Sequence, residues 1–231
     1  MTGDQRSEDM NHSLKLYSYW RSSASYRVRI ALNLKGLAYE LVPVHLVNDG
    51  GEQHARHYHE LNPQELVPVL VDGSHVIRQS MAIIEYLDES YGGDCALLPE
   101  SKHSRARVRA IAQAVACDIH PLNNLRVLQY LENDLDIAKQ QRDSWVRNWI
   151  SLGFRAVEEL LGDDPSTGTF CEGDTPSLAD LCLIPQVYNA VRFDVDMSAF
   201  PTIHRIHYAC EEMGAFQDAR PENQPDAPQR Q

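Results

Sequence analysis

The run Arg21-Ser22-Ser23-Ala24-Ser25 carries three hydroxyls between a short apolar stretch, Leu14 to Tyr17, and the helically spaced Val28, Ala31 and Leu32. A strand that turns into a helix at such a place presents the helix's first N–H groups and the positive end of its dipole. That setting favours an anion, a thiolate among them. The turn itself holds no cysteine, so a sulfur used there must arrive with a ligand. The plain structural reading of Ser22 or Ser23 is an N-cap.

Three further features bear on what that ligand is. Val67-Pro68 stands at the start of an apolar strand pattern. A cis bond there would turn the backbone N–H and C=O of Val67 outward, where an extended peptide pairs as an added strand does. Gln79-Ser80 opens a helical pattern, and a hydroxyl, N–H groups and an amide together suit an α-carboxylate. Gln53 and Gln64 sit on loops flanking the same edge. The structural readings are an ordinary strand start, a helix cap and surface glutamines. Together with the serine turn these groups suit a small acidic thiol peptide, which suggests glutathione as the cofactor.

These residues need elements to hold them. Strand Leu14–Tyr17, a helix from the serine turn to about Leu34, strand Tyr39–Leu46, a short helical stretch from about Gln53 to Leu61, strand Val67–Val71, a turn at Asp72-Gly73-Ser74, strand His75–Arg78 and a helix capped by Ser80 follow from the hydrophobic spacing and turn residues. Pro43 inside the second strand predicts an edge position. The order β-α-β-α-β-β-α predicts a mixed sheet and an α/β thioredoxin-like fold. From about residue 100 the pattern is wholly helical. It runs as a basic helix from Lys102 to about Cys117, an interruption at Asp118-Ile119-His120-Pro121, a continuation to Leu131, and a helix from about Arg142 to Leu161. A capping box at Ser177 and Asp180 opens an apolar helix expected at the centre of a bundle, and Pro201 opens a last helix ending near Gly214. The predicted organisation is a polar disordered tail over 1–13, a thioredoxin-like domain over 14–99, an all-helical domain over 100–217 and a second disordered tail over 218–231.

The chain has 231 residues, 43% of them hydrophobic, and a formal net charge of −12. So acidic a surface repels phosphate backbones and argues against nucleic-acid binding. No apolar run approaches the roughly 18 residues that span a bilayer. The polar opening of the chain does not read as a secretory signal. The five cysteines form no C-x-x-C pair and no zinc spacing, which predicts reduced packing cysteines, a cytoplasmic setting and no metal. His54 and His57 share a helical face with no third ligand in view, and read as a solvated face.

The chain resembles the zeta-class glutathione transferases, the family that includes maleylacetoacetate and maleylpyruvate isomerases. The likeness rests on residues 21–32, on Asn62-Pro63-Gln64-Glu65-Leu66-Val67-Pro68, and on Gln79-Ser80-Met81-Ala82-Ile83-Ile84-Glu85-Tyr86-Leu87. In the helical half it rests on Asp118-Ile119-His120-Pro121-Leu122-Asn123-Asn124 and Gly173-Asp174-Thr175-Pro176-Ser177-Leu178-Ala179-Asp180. One departure stands out: Ala24 occupies the place where the zeta signature usually has a cysteine. Chemistry that depends on that cysteine is thereby put in question; chemistry that uses glutathione's own sulfur is not.

The resemblance implies a homodimer and a glutathione-dependent cis–trans isomerase of small maleyl dicarboxylates, in which glutathione's sulfur adds reversibly to the alkene. Glutathione would lie along Val67, with its γ-glutamyl end on Gln79 and Ser80 and its thiolate on Ser22 or Ser23. Arg21 and Arg192 are candidates for the substrate's carboxylates, since a guanidinium binds a carboxylate through two bonds. His120 is a candidate proton donor or ligand partner, and Asn124 stands one turn on. For Arg21 the competing reading is a surface charge, for Arg192 a helix-end cation and for His120 a cap at a kink. Three functions remain open: the isomerase, with maleylacetoacetate as the substrate the family implies first and maleylpyruvate as the alternative; a general transferase, dehalogenase or peroxidase, favoured by an apolar mouth rather than paired arginines; and an inactive interaction protein, favoured by failure to bind glutathione.

Overall fold

The computed structural model describes residues 14–93 and 95–228, so the predicted tail over 1–13 lies outside the described residues. The chain divides into two compact units: one runs up to Cys95 and takes in the residues from Asp218 onward, and the other is Ala96–Gln217.

The first unit is built on a four-stranded sheet in the order β2-β1-β3-β4. The strands are β1 (Leu14–Ser18), β2 (Tyr39–Pro43), β3 (Val69–Asp72) and β4 (His75–Arg78). β1 is parallel to β2 and antiparallel to β3, and β3–β4 is a hairpin. With α1 (Ser23–Leu34), α2 (Arg56–Leu61) and α3 (Ser80–Ser90), this is the mixed sheet and β-α-β-α-β-β-α order of a thioredoxin-like fold. α1 is buried at every position from Ser25 to Leu32, so it is an internal helix rather than one with a solvated face. Pro43, which has no N–H for a ladder, closes β2 on the edge of the sheet, three residues short of the expected end at Leu46. Ser80 does not cap α3: it is the first helical residue, and Gln79 occupies the cap position with φ at 70°. The Ser80 hydroxyl is instead turned to α1, where it accepts a hydrogen bond from Arg27 Nη1 at 3.2 Å.

The predicted disordered tail from 218 is corrected by the structure as far as residue 228. Arg29, a fully buried cation of α1, donates from Nε to the Ala219 carbonyl at 3.0 Å. The backbone N–H of Trp20 donates to Asp226 Oδ2 at 2.9 Å. Polar composition misled the reading, because two strong charged partners order this segment without a large apolar face.

The second unit is helical: α4 (Lys102–Gln113), α5 (Leu125–Asn133), α6 (Lys139–Gly162), α7 (Leu178–Arg192), α8 (Pro201–Glu211) and α9 (Gly214–Asp218), which runs to the unit boundary. The break after α4 begins earlier than predicted. Ala114–Ile119 forms a π-helical segment and His120–Asn123 a 3-10 turn, with Pro121 denying the helix its next N–H. The predicted capping box is present: Asp180 accepts from the Ser177 N–H at 2.8 Å. α7 is buried from Leu178 through Val187 and forms the core of this unit. α8 starts at Pro201 and stops at Glu211, ahead of Gly214.

Candidate functional site

In the first unit the serine turn is held from beneath. Arg29 donates to Ser18 Oγ, to the Tyr19 carbonyl and to the Trp20 carbonyl, the last at 3.0 Å. Asp226 takes the Trp20 N–H. Ser22 is the N-cap of α1 and its Oγ accepts the Ser25 N–H at 3.2 Å. The capping reading of Ser22 therefore holds, and it does not compete with the functional one. A hydroxyl that accepts through a lone pair still has its own hydrogen to donate. Ser23 is the first residue of α1. Arg21 lies with its guanidinium 5.5 Å from the Trp20 ring centroid.

The Val67-Pro68 bond is cis. The loop before it is locked: Asn62 Nδ2 and the Tyr58 hydroxyl both donate to the Leu66 carbonyl, at 2.7 and 2.8 Å. Gln79 Nε2 donates to Gln64 Oε1 at 2.7 Å, so two predicted contact residues meet. Gln79 combines this with a left-handed backbone that a non-glycine residue adopts only at a cost of order 1–3 kcal/mol. Such strain persists where surrounding contacts over-determine it, commonly at ligand sites. Ser80, beside it, rests on the buried guanidinium of Arg27. A cation under this helix start adds to the dipole and favours a carboxylate above it.

Gln53 is 5% exposed. Its Nε2 lies 3.0 Å from His54 Nε2 and 3.4 Å from the Leu46 carbonyl. Its Oε1, also buried, accepts no hydrogen bond from the described residues. His54 Nδ1 and His59 Nδ1 meet the two oxygens of Glu65, at 2.6 and 2.9 Å. These bonds, His54 first, hold the Glu65 carboxyl below its usual range. The backbone at Gly51, with φ at 102°, leaves room for the Gln53 amide: a Cβ there would stand 2.6 Å from Oε1.

In the second unit Arg192 heads a series of hydrogen bonds that ends at Ile119, and His120 and Asn124 form a pair of their own. Arg192 Nη2 donates to Asn189 Oδ1 at 2.9 Å, Asn189 Nδ2 to Asn123 Oδ1 at 3.0 Å, and Asn123 Nδ2 to the Ile119 carbonyl at 3.0 Å. Asn124 caps α5 and its Nδ2 lies 3.4 Å from His120 Nε2. The Arg192 guanidinium also lies over the Phe193 ring at 4.6 Å. Asn189 was not singled out by sequence reading, although a polar residue three before Arg192 in so apolar a helix is a usable signal. Arg27, Arg29 and Asp226 were missed as well, since nothing in their local spacing marks them as buried or as partners across the fold.

Among the described residues no group of His, Cys, Asp and Glu is placed to hold a metal ion, and no helix is long and apolar enough to cross a membrane. Cys171, Cys182 and Cys210 are buried and take part in no disulfide. Burial pushes the Cys171 and Cys210 thiols well up, which fits packing rather than reactivity.

Residues 16–94 match the family model of the glutathione S-transferase N-terminal domain. A probable maleylacetoacetate isomerase of Vibrio cholerae is 54% identical over 93% of this chain and 99% of its own length. The holo structure of a maleyl pyruvate isomerase, a bacterial zeta-class glutathione S-transferase, is 48% identical, with a TM-score of 0.89 over 93% of this chain and all of the other. The crystal structure of a maleylacetoacetate isomerase from Methylobacterium extorquens AM1 with bound malonate and GSH is 43% identical and has the same TM-score over the same shares. With identity of this order along nearly the whole of both chains, the protein belongs to the zeta class of the glutathione S-transferase family.

Proposed function

We propose that the chain is a glutathione-dependent cis–trans isomerase that converts maleylacetoacetate to its fumaryl isomer. The observation that carries this reading is the hydroxyl-capped, cysteine-free turn at the start of α1, which suits a thiolate brought by a ligand. The relatives support it: one, 48% identical, is named a maleylacetoacetate isomerase, and another of that name was solved with GSH and a small dicarboxylate.

The residues present fit glutathione. The buried Oε1 of Gln53 lacks a partner, the Ser22 and Ser80 hydroxyls each accept one bond and retain a hydrogen to donate, and Arg27 underlies the carboxylate position. In this reading Gln79 and Ser80 bind the γ-glutamyl carboxylate, and Val67 offers its backbone to the cysteinyl residue. Gln64 orients Gln79, Pro68 ends the binding loop, and Gln53 takes the glycyl end that remains. Ser22, with Ser23 beside it, donates to the sulfur and holds it as thiolate. Bound glutathione supplies a nucleophile whose reversible addition to the alkene allows rotation about the former double bond. Arg21 and Arg192 are the candidate cations for the substrate's carboxylates and for the negative charge that grows on its carbonyl oxygen. His120, with Asn124, donates hydrogen bonds to substrate or cofactor. A homodimer in the cytoplasm is the proposed setting.

A second reading is favoured by one finding: a maleyl pyruvate isomerase is similar along 93% of the chain. An absorbance assay on both substrates, each with and without glutathione, separates the two. The expected result is turnover of maleylacetoacetate only with glutathione present and none of it consumed. Turnover of maleylpyruvate alone selects the second reading. No turnover of either, with glutathione bound, overturns both.

A further inference from the structure

The unsatisfied oxygen of Gln53 and the two imidazoles on Glu65 point to a device that the isomerase reading does not contain. His54 presents Nδ1 to the Glu65 carboxylate at 2.6 Å and Nε2 to Gln53 at 3.0 Å. A carboxylate accepts only, so Nδ1 carries a hydrogen in either charge state. In neutral His54 the other nitrogen, Nε2, is then a bare acceptor, and it receives a hydrogen from the Gln53 NH2. That arrangement leaves Gln53 Oε1 buried with nothing to accept, at a cost of about 1–3 kcal/mol. In protonated His54 both nitrogens donate. Two donors would then face each other at 3.0 Å. Rotating the Gln53 carboxamide by half a turn removes the conflict. Oε1 then accepts a charge-assisted bond from Nε2–H, and the NH2 takes the place of the orphan oxygen. The rotation gives up only the weak 3.4 Å contact of Nε2 with the Leu46 carbonyl.

We propose that His54 is a positioning residue whose protonation turns the Gln53 carboxamide, so that the amide offers an NH2 to the glycyl carboxylate of glutathione in acid and an oxygen in base. This rests on the glutathione reading above. There the γ-glutamyl end sits at Gln79 and Ser80 and the cysteinyl residue at Val67, which leaves the glycyl carboxylate for Gln53. An oxygen turned to a carboxylate repels it and an NH2 binds it. The charged groups that face His54 are few. Glu65 bonds it directly, and His59 shares the other Glu65 oxygen. Glu52, on the same turn, has its carboxylate on the backbone N–H of His45. Arg56 and Glu60 of α2 pair with each other. The depressed Glu65 carboxyl keeps its charge through the range where imidazoles titrate.

The test is the dissociation constant of S-methylglutathione, whose sulfur cannot ionise, measured by calorimetry from pH 5.5 to 8.0 on the full chain. Wild type is expected to bind on the order of tenfold more tightly at the acid end, the difference between a favourable and an unfavourable hydrogen-bond partner. The glycyl ethyl ester of the same ligand is expected to show no such gain. His54→Leu and His54→Gln, checked for folding by thermal melting, are expected to bind with no pH dependence. Glu65→Gln, which takes away the carboxylate that steadies the imidazolium, reduces the gain at a given acid pH. A flat wild-type profile, an equal gain for the ester, or a gain that survives both His54 variants overturns the proposal while leaving the glutathione site intact. No binding of S-methylglutathione at any pH overturns the glutathione reading itself.

Discussion

Gly153 lies in the middle of α6, and its Cα faces Ile119, the last residue of the π segment. A Cβ at Gly153 would overlap both Cγ1 and Cδ1 of Ile119, and only the Ile119 Cβ, at 3.6 Å, would be at contact distance. Rotation about χ2 would move Cδ1 away but not Cγ1. Clearing Cγ1 requires a change of χ1, which is stiff in a β-branched residue, or a shift of the backbone. Ile119 is 2% exposed, so it has no solvent to move into. Two effects therefore oppose each other in Gly153→Ala. Helix propensity favours alanine by about 0.8–1 kcal/mol, and overpacking costs about 1–3 kcal/mol. The net expectation is a loss of about 1 kcal/mol, because overpacking outweighs propensity. Ile119→Ala alone removes a buried side chain at a cost of about 2–5 kcal/mol. In that background the same Gly153→Ala no longer meets Cγ1, and the propensity gain should appear as a stabilisation of about 1 kcal/mol. The coupling between the two sites is then about 2 kcal/mol. Urea titration followed by tryptophan fluorescence reads this place directly. Trp145 and Trp149 form an edge-to-face pair on α6, with ring centroids 5.6 Å apart, and Trp145 Nε1 donates to the Leu122 carbonyl in the turn that follows Ile119. If Gly153→Ala stabilises the chain by the same amount with Ile119 present and absent, the close approach of α6 to the π segment is refuted.

Asp226→Ala should cost about 1–3 kcal/mol, because the Trp20 N–H loses a charged acceptor; an unchanged urea midpoint would show that the C-terminal segment does not support the serine turn. Gln186 is fully buried in α7 and neither amide atom has a partner among the described residues. Gln186→Leu should therefore be neutral or stabilising by about 1–3 kcal/mol, and a clear loss in thermal melting would contradict this. Asp164 and Asp174 are held below the usual carboxylate range, first by the backbone N–H groups of Ser166 and Thr169 respectively. A depressed folded-state value means that their contribution is complete above the unfolded value near ~3.9 and is lost as pH falls through the folded one. Hydrogen exchange at the Ser166 and Thr169 amides should accordingly accelerate, relative to the core of α7, only below about pH 4. Ser22→Ala should lose about 1 kcal/mol of α1 capping, and glutathione's thiol absorbance should then require a higher pH; Ser23→Ala serves as the comparison, and an unchanged thiol profile in Ser22→Ala would remove Ser22 from its proposed role.

Sequence alone carried the features that are local in physical origin. The hydroxyl turn, the Asp72-Gly73 hairpin and the Ser177–Asp180 capping box each depend on a few neighbouring residues, and each is present. The edge position of Pro43 was legible for the same reason, since a missing N–H is a property of one residue. Buried charge was not legible, because it depends on partners far along the chain. Arg27 and Arg29 look like solvated cations in a helix, yet Arg29 reaches Ala219 and Arg27 reaches Ser80. The residues from Asp218 onward look like a tail by composition, yet they make contacts to Arg29 and Trp20 that lie far along the chain. Ser80 was misread as a cap because the alternative use of its hydroxyl lies on another helix. Gln53 was legible as a candidate ligand contact on a loop, but only the fold buries it against Gly51 and His54 and leaves its oxygen unpaired. Short-range chemistry specifies where elements begin and end. Tertiary packing decides which polar groups lose their water, and those groups must then find the partners that shape the site.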